Sequence, residues 1–303
     1  MPPTPRPVVP PGLVIADKPA GMTSHDVVAR IRRIFGTRKV GHAGTLDPMA
    51  TGVLVLGLER ATKLLGHLAL ERKVYLATIR LGASTTTDDA EGETLSEVDG
   101  SMVDEAAVLA GIGELSGPID QVPSAVSAVK VAGKRAYQRV RDGEQVELPA
   151  RPVVVHRFDV LAFRREPLAT ELDVLVDCSS GTYVRALARD LGAGLGVGGH
   201  LIALRRTQVG PFGLRTARTL DQLAETPELS MDLDTSVATA FPRRDVDARE
   251  ATALAHGQRL AAAGLPGTYG VFDPDGHVIA LARDEGSGHA GHANPLVVLS
   301  PAG

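Results

Sequence analysis

A chain of 303 residues exceeds what one ordinary core needs and favours one large domain with a smaller one beside it. Hydrophobic residues make up 44% and charged residues 22%, and no apolar run reaches membrane-spanning length, which excludes a helical membrane protein. A single cysteine, Cys178, excludes an internal disulfide and has no companions for a metal site, while a net charge of −4 weighs at first against a nucleic-acid partner.

The charge is segregated along the chain. Lys and Arg outnumber Asp and Glu by 11 to 5 in residues 1–75, by 6 to 3 in 128–151 and by 6 to 1 in 180–218. Residues 84–127 hold 10 acids and no base, and 219–303 hold 12 acids against 5 bases. Basic stretches that meet on one face can contact phosphates while acidic surfaces limit unspecific adhesion; charge alone equally allows separate solvated faces.

Met1 to Gly12 is proline-rich, lacks an apolar h-region and reads as a loose arm, not a signal peptide, which puts the protein in the cytosol. Leu13, Val14 and Ile15 read as a short strand entering the turn Asp17-Lys18-Pro19-Ala20-Gly21, where a lysine is exposed by default. A helix follows, with Ser24 as N-cap, Val27, Val28, Ile31, Ile34 and Phe35 on one face, and Gly36 at its end. Arg30, Arg32 and Arg33 lie off that stripe, and Arg38 and Lys39 carry the basic run into the next loop.

That loop, Lys39 to Leu54, contains Gly41-His42-Ala43-Gly44-Thr45-Leu46-Asp47-Pro48. Gly41, Gly44 and Gly52 permit tight or positive-φ backbone, and Pro48 biases Asp47 towards extended geometry. An acid held rigidly beside a buried strand, Gly52 to Leu58, suits catalysis, although an Asp before Pro in a Gly-rich loop is ordinarily a turn residue.

Val74 to Leu81 alternates as a strand that half-buries Tyr75, and Leu172 to Val176 alternates up to Cys178, read as a buried structural thiol. Thr182 reads as the N-cap of a helix with Val184, Leu187 and Leu191 on one face; Arg185 in it would ordinarily be exposed. Between Pro123 and Arg151 the basic residues Lys130, Lys134, Arg135, Arg139 and Arg141 stand among few large apolar ones, as in a solvated hairpin or a phosphate-gripping insertion. Beyond Pro227 the composition turns acidic and Glu228 to Thr239 reads as a linker. A smaller unit follows: a helix near Ala248 to Ala262 and strands around Tyr269 to Phe272, Val278 to Ala282 and Leu296 to Leu299. His289 and His292, without further ligands nearby, read as solvent-exposed.

The loop around Asp47 resembles the signature of the TruB family of tRNA pseudouridine-55 synthases. Further motifs resemble that family in the same order: Asp17 to Ser24, Lys73-Val74-Tyr75, Thr86 to Gly92, Pro123 to Lys130, Gly181 to Arg185, and Leu201 to Arg206. The resemblance implies an α+β fold, with a largely antiparallel mixed sheet flanked by helices over residues 13–230, an RNA-binding insertion at about 123–151, and a small PUA-like RNA-binding domain over 231–303. It implies an isomerase that detaches, rotates and rejoins the uracil of a flipped-out uridine in the T-arm loop of tRNA. Such a reaction needs no redox cofactor, metal or activated donor.

In this reading Asp47 is the catalytic carboxylate, Arg185 pairs with it and keeps it ionised, and Tyr75 stacks on the target base. His42 occupies space vacated by displaced nucleotides, Tyr183 and Leu204 line the pocket, Gly44 and Thr45 belong to the substrate-binding loop, and Lys18 supports the site or contacts RNA. Lys130, Lys134, Arg135 and Arg139 grip RNA. A monomer is expected, as is a tRNA-folding activity. Two other classes remain open: a non-catalytic RNA-folding module, indifferent to Asp47→Asn, and a glycosidic hydrolase, which needs a second acid near Asp47 and releases free uracil.

Overall fold

In the computed structural model, which describes residues 9–124, 130–131, 134–135, 148–286 and 291–300, one large sheet carries most of the apolar pattern. Its strands are β1 (Gly12–Lys18), β2 (Val40–Ala43), β3 (Thr51–Leu58), β4 (Lys73–Leu81), β5 (Gly117–Gln121), β6 (Arg151–Glu166), β7 (Ala169–Cys178), β8 (Gly199–Val209) and β9 (Met231–Asp232). They run in the order β9-β1-β3-β8-β4-β7-β6-β5, with β2 added on β3 and Phe212–Gly213 on β8. Every pairing is antiparallel except β3 with β8, where Thr51 and Gly52 meet Arg205 and Arg206 in parallel. This is the mixed, mainly antiparallel sheet expected from the sequence.

Burial explains the two strand patterns. β1 and β3 are covered on both faces and so read as continuous apolar runs. β4 and β7 alternate instead, because one face meets the core and the other meets solvent. β1 also runs on through Asp17 and Lys18, paired with β3 as far as Lys18 opposite Gly52, where the sequence pattern suggested a turn.

Helix α1 (Ser24–Phe35) lays Val27, Val28, Ile31 and Phe35 on Val14, Leu54 and Leu56, together with Leu220 and Leu223 of α4 (Leu220–Glu225). Its N-cap is Thr23, not Ser24: the Thr23 hydroxyl accepts the Asp26 N–H and the Asp26 carboxylate accepts the Thr23 N–H, a reciprocal capping box. Gly36 ends it at φ 68°, as expected. Further along the sheet, α2 (Glu105–Glu114) and α3 (Val184–Gly194) pack Val108, Ile112, Leu187 and Leu191 against Ile79, Leu172 and Val174. The N-cap of α3 is Tyr183; Thr182 instead donates its hydroxyl to the carbonyl of Ser179 at 3.0 Å and closes the preceding turn.

The stretch read as a linker is ordered. Ser230 exchanges bonds with Leu13 and Ile15 of β1, β9 pairs with β1, and α5 (Leu233–Ala240) starts at Asp232, whose carboxylate caps the Thr235 N–H. Leu233 and Val237, four residues apart, are buried, a periodicity too short to register in an acidic stretch.

The second sheet comprises β10 (Arg243–Asp245), β11 (Leu260–Ala261), β12 (Thr268–Phe272), β13 (Val278–Glu285) and β14 (His292–Val298), in the order β10-β12-β13-β14-β11. Helix α6 (Ala248–Ala255) stops before the Ala262 end suggested by composition, since Gly257 turns at φ 75° and the chain enters β11. His292 is half-buried, 3.8 Å from Glu285 across β13 and β14, and His289 lies outside the described residues. Phe272, Val278, Leu281 and Leu299 join Leu13, Ile15, Val53, Val55, Val237 and Phe241 in one apolar body shared by both sheets.

Candidate active site

The loop between β2 and β3 is fastened from four directions. Ser24, the first residue of α1, accepts the Leu46 N–H at 2.9 Å and donates to the Leu46 carbonyl at 3.2 Å, which fixes the residue before Asp47. The Ala50 N–H closes a turn onto the Asp47 carbonyl at 3.1 Å. Lys18, fully buried, donates its ammonium to the carbonyls of Pro19, Met22 and Pro48, and the Gly21 N–H reaches Pro48 as well. Burial lowers Lys18 to about 8, with Asp47 the largest opposing influence.

Arg206 supplies the fourth anchor. Its side chain lies on the inward face of β8 and is almost wholly buried. Nε donates to the Val53 carbonyl at 2.8 Å, Nη2 to Gly44 at 3.0 Å and Nη1 to Thr45 at 3.4 Å. The parallel β3–β8 contact makes this reach possible, and it leaves no room beside Gly52: a Cβ there would lie 2.1 Å from the Arg206 carbonyl oxygen, at φ 103°.

So held, Asp47 turns its carboxylate into a cleft of about 300 Å³. Gly44, Thr45, Lys73, Tyr75, Tyr183, Arg185, Leu204 and Arg206 line it. Arg185, in the first turn of α3 and buried, places Nε 3.0 Å from Asp47 Oδ2 and Nη1 3.3 Å from Asp89 Oδ2, and donates to the Thr87 carbonyl at 2.8 Å. Asp89 is itself locked by the Thr87 hydroxyl at 2.5 Å and the Glu91 N–H at 3.1 Å.

The electrostatics follow from that arrangement. Burial pushes Asp47 above the ordinary carboxylate range, Arg185 pulls it back, and Asp89 adds to the rise. The ion pair expected from the sequence is present, but it does not outweigh desolvation. A carboxylate so poorly solvated, and aimed by a guanidinium, is suited to act as nucleophile or base.

Tyr75 sits on the inward face of β4, buried, with Arg206 its partner across to β8 and Val176 across to β7. Burial raises its phenol, against which the neighbouring Arg206 cation acts. Two residues back, Lys73 lines the same cleft; it donates to the carbonyls of Ala69 and Glu71, and burial lowers it to about 8. Cys178 is buried and pushed up to about 11, mainly by burial, which suits an inert thiol.

The structure therefore brings Asp47, Tyr75, Tyr183, Arg185, Leu204, Gly44 and Thr45 around one cleft. His42 stays on β2, outside the cleft wall, with its ring 5.5 Å from His25 in an edge-on contact. Lys18 lies beneath the loop. Lys130, Lys134 and Arg135 fall on a two-stranded hairpin, and their side chains, with Arg139, lie outside the described residues. A hollow of about 600 Å³ beside α1 holds Arg205, but Asp17 already takes that guanidinium through both carboxylate oxygens, at 3.1 and 2.7 Å.

Roles for Asp89 and Arg206 were not apparent from sequence. The signal for Arg206 lay in β8: it shares an inward face with Leu204, two residues away, where a charge needs a buried partner.

Three family models tile the chain. One for the TruB family pseudouridylate synthase N-terminal domain matches residues 32–184, one for the tRNA pseudouridylate synthase B C-terminal domain matches 185–237, and one for tRNA pseudouridine synthase II, C-terminal, matches 241–300. The chain is 62% identical over 293 residues to the tRNA pseudouridine synthase B of Mycolicibacterium paratuberculosis, covering 97% of this chain and 99% of that protein. It is 61% identical to that of Nocardia farcinica, covering 96% and 94%, and 58% identical to that of Mycobacterium tuberculosis, covering 96% and 97%. Among solved structures, a Cbf5-Nop10-Gar1 complex matches with a TM-score of 0.72 at 26% identity, over 96% of this chain and 85% of that one. An H/ACA RNP bound to a substrate RNA containing 2'-deoxyuridine matches with a TM-score of 0.70 at 25% identity, over the same shares.

Proposed function

Because the chain belongs to the TruB family of pseudouridine synthases and isomerises uridine to pseudouridine in tRNA, we propose that Asp47 is the group that acts on a uridine flipped out of the T-arm loop, at position 55. One observation carries the reading: the Asp47 carboxylate opens into the cleft while its other side is held by Arg185 at 3.0 Å.

The reaction breaks the bond from C1′ to N1 and makes one from C1′ to C5; N1 takes up a proton and C5 gives one up. Asp47 attacks C1′, attacks C6, or removes the C2′ proton, and each route needs an ionised, aimed carboxylate and an unstacked base. Tyr75 offers its ring face to the uracil, Tyr183 and Leu204 bound the pocket, and Gly44 and Thr45 form its rim. Arg185 keeps Asp47 aligned and opposes its protonation. Lys18 acts through the loop it ties down. His42, near the protein surface beside His25, takes the space of displaced nucleotides.

RNA enters along the basic residues of the insertion, Lys130, Lys134, Arg135 and Arg139, and along a PUA-like unit over 231–303. Such phosphate contacts make tRNA affinity fall as salt rises, and they also support a tRNA-folding role. The protein works in the cytoplasm as a monomer; among the described residues no helix is long and apolar enough to cross a membrane. A hydrolytic reading would need a second acid open to the cleft, and Asp89, the acid nearest in line behind Arg185, is buried.

The test is release of tritium from unmodified tRNA labelled at uridine C5, wild type against Asp47→Asn. Release by the variant at the wild-type rate removes Asp47 from this role, and free uracil among the products overturns the isomerase route at this site.

A further inference from the structure

Resting on the reading of Arg185 as the cation that governs Asp47, we propose that Gln121 is a positioning residue for the reaction, whose carboxamide sets the start of α3 and with it the placement of Arg185 and Tyr183 around the cleft.

A helix start leaves N–H groups that need partners, and most helices here find one in the residue at their own N-cap. Thr23, Asp104, Thr219, Asp232 and Asp247 cap α1, α2, α4, α5 and α6 in this way. Helix α3 begins at Tyr183, whose side chain makes no capping bond. Its backbone is met from 62 residues away: Gln121 Oε1 accepts the Tyr183 N–H at 2.8 Å, and Gln121 Nε2 donates to the Tyr183 carbonyl at 3.1 Å. Using both ends of one amide on one residue fixes that residue's orientation as well as its position. Gln121 is buried, so water offers the Tyr183 backbone no ready substitute.

The anchor itself is firm. Gln121 closes β5, opposite Arg151 of β6. The next residue, Val122, gives its carbonyl to Arg189 Nη2 at 2.7 Å, one turn along α3 from Arg185. Arg189 Nη1 also meets Asp88 at 3.3 Å, between the Thr87 carbonyl and the Asp89 carboxylate that Arg185 uses. Residues 87–89, 121–122 and 183–189 are thus laced together, and Gln121 holds the end from which Arg185 projects. Displacing a catalytic geometry by about 1 Å can cost on the order of a hundredfold in rate, so this is a place where a residue without substrate contact governs chemistry.

The test uses the full chain with Gln121→Met, which keeps the side-chain length and loses both bonds, and Gln121→Glu, which keeps the acceptor for the Tyr183 N–H. Single-turnover tritium release from tRNA is followed across pH, tRNA binding is measured by filter retention, and thermal midpoints are recorded. Gln121→Met is expected to slow release about tenfold or more and to move the acid limb of the pH profile upwards, since Arg185 no longer opposes protonation of Asp47. Its tRNA Kd should stay within about threefold of wild type, and Gln121→Glu should fall between the two. A wild-type rate and acid limb in Gln121→Met overturn the proposal, as does a rate loss that follows the thermal midpoint with the acid limb unmoved in both variants. Arg185→Lys separates the two levels: wild-type kinetics there overturn the underlying reading of Arg185, whereas an impaired Arg185→Lys beside a normal Gln121→Met overturns the role of Gln121 alone.

Discussion

Asp47 and Asp89 share one guanidinium: Arg185 gives Nε to the first at 3.0 Å and Nη1 to the second at 3.3 Å. Their access differs sharply, since the Asp47 side chain is 35% exposed and that of Asp89 only 3%. One acid faces the cleft, and the other draws on the same cation from behind.

Replacing Asp47 with Asn should therefore separate chemistry from binding. Pseudouridine formation falls by about three orders of magnitude or more, as is usual when a nucleophile or base is removed. The tRNA affinity stays near wild type, because the phosphate contacts proposed above lie elsewhere. The thermal midpoint is not lowered, since a costly partly buried charge is removed while Arg185 keeps Asp89. Tritium release, filter binding and a melting curve on one preparation check all three.

On the role proposed for Asp47, which requires its ionised form, the acid limb of the rate profile reports this carboxyl. Its carboxyl is raised by burial, so activity is lost on acidification at a higher pH than for a solvated aspartate. Asp89→Asn removes a charge that adds to the rise and should shift the limb to lower pH, whereas Arg185→Met removes the charge that opposes it and should shift the limb upwards. Single-turnover rates between acid and neutral pH decide the signs; matching shifts in both variants would contradict the arrangement.

Arg206→Met should loosen the loop itself. It strips the buried carbonyl of Val53 and the partly buried bonds to Gly44 and Thr45 of their donor, at a cost of about 2–4 kcal/mol in stability. Gly52→Ala attacks the same junction from the backbone side, with a Cβ forced to 2.1 Å from the Arg206 carbonyl oxygen, and should be at least as damaging. Urea denaturation measures both.

Lys18 gives a stability signature in alkali. Folding lowers it from 10.5 to about 8. Between those values the unfolded chain holds a proton that the folded chain has released, so this residue makes stability rise with pH across the window. Lys18→Met should lose that contribution, seen as a smaller gain, or larger loss, in urea midpoint from pH 8 to pH 10 than wild type shows. Lys73 acts with the same sign and remains in the variant.

Much of this was legible in the sequence for a physical reason: elements with a buried face and an exposed face write a period into the chain. The alternation of β4, the stripe of α1 and the terminating Gly36 are of that kind. The signature around Asp47 was legible by resemblance, and so was its pairing with Arg185. What stayed hidden are contacts between a side chain and a distant backbone. Gln121 meets Tyr183 across 62 residues and Arg206 meets Val53 across 153, and a carbonyl oxygen carries no residue identity to recognise. The burial of Lys18 was hidden for a related cause, although support of the site was among its expected roles: a lysine after a strand is normally solvated unless three carbonyls converge on it, as here. The acidic stretch before Phe241 was misread because only Leu233 and Val237 mark its helix.

The apolar body common to both sheets bears on how this protein can be cut. Leu13, Ile15, Val53 and Val55 are covered in part by Phe241, Phe272, Val278, Leu281 and Leu299, and Arg60 and Lys63 donate to the carbonyls of Leu299 and Val298 at 3.1 and 2.8 Å. Residues 241–300 are thus no interchangeable cassette. Shortening the chain ahead of Phe241 would bare a greasy flank on the remaining fragment and invite aggregation, so any minimal enzyme engineered from this scaffold needs polar replacements along β1 and β3 before its tail is removed.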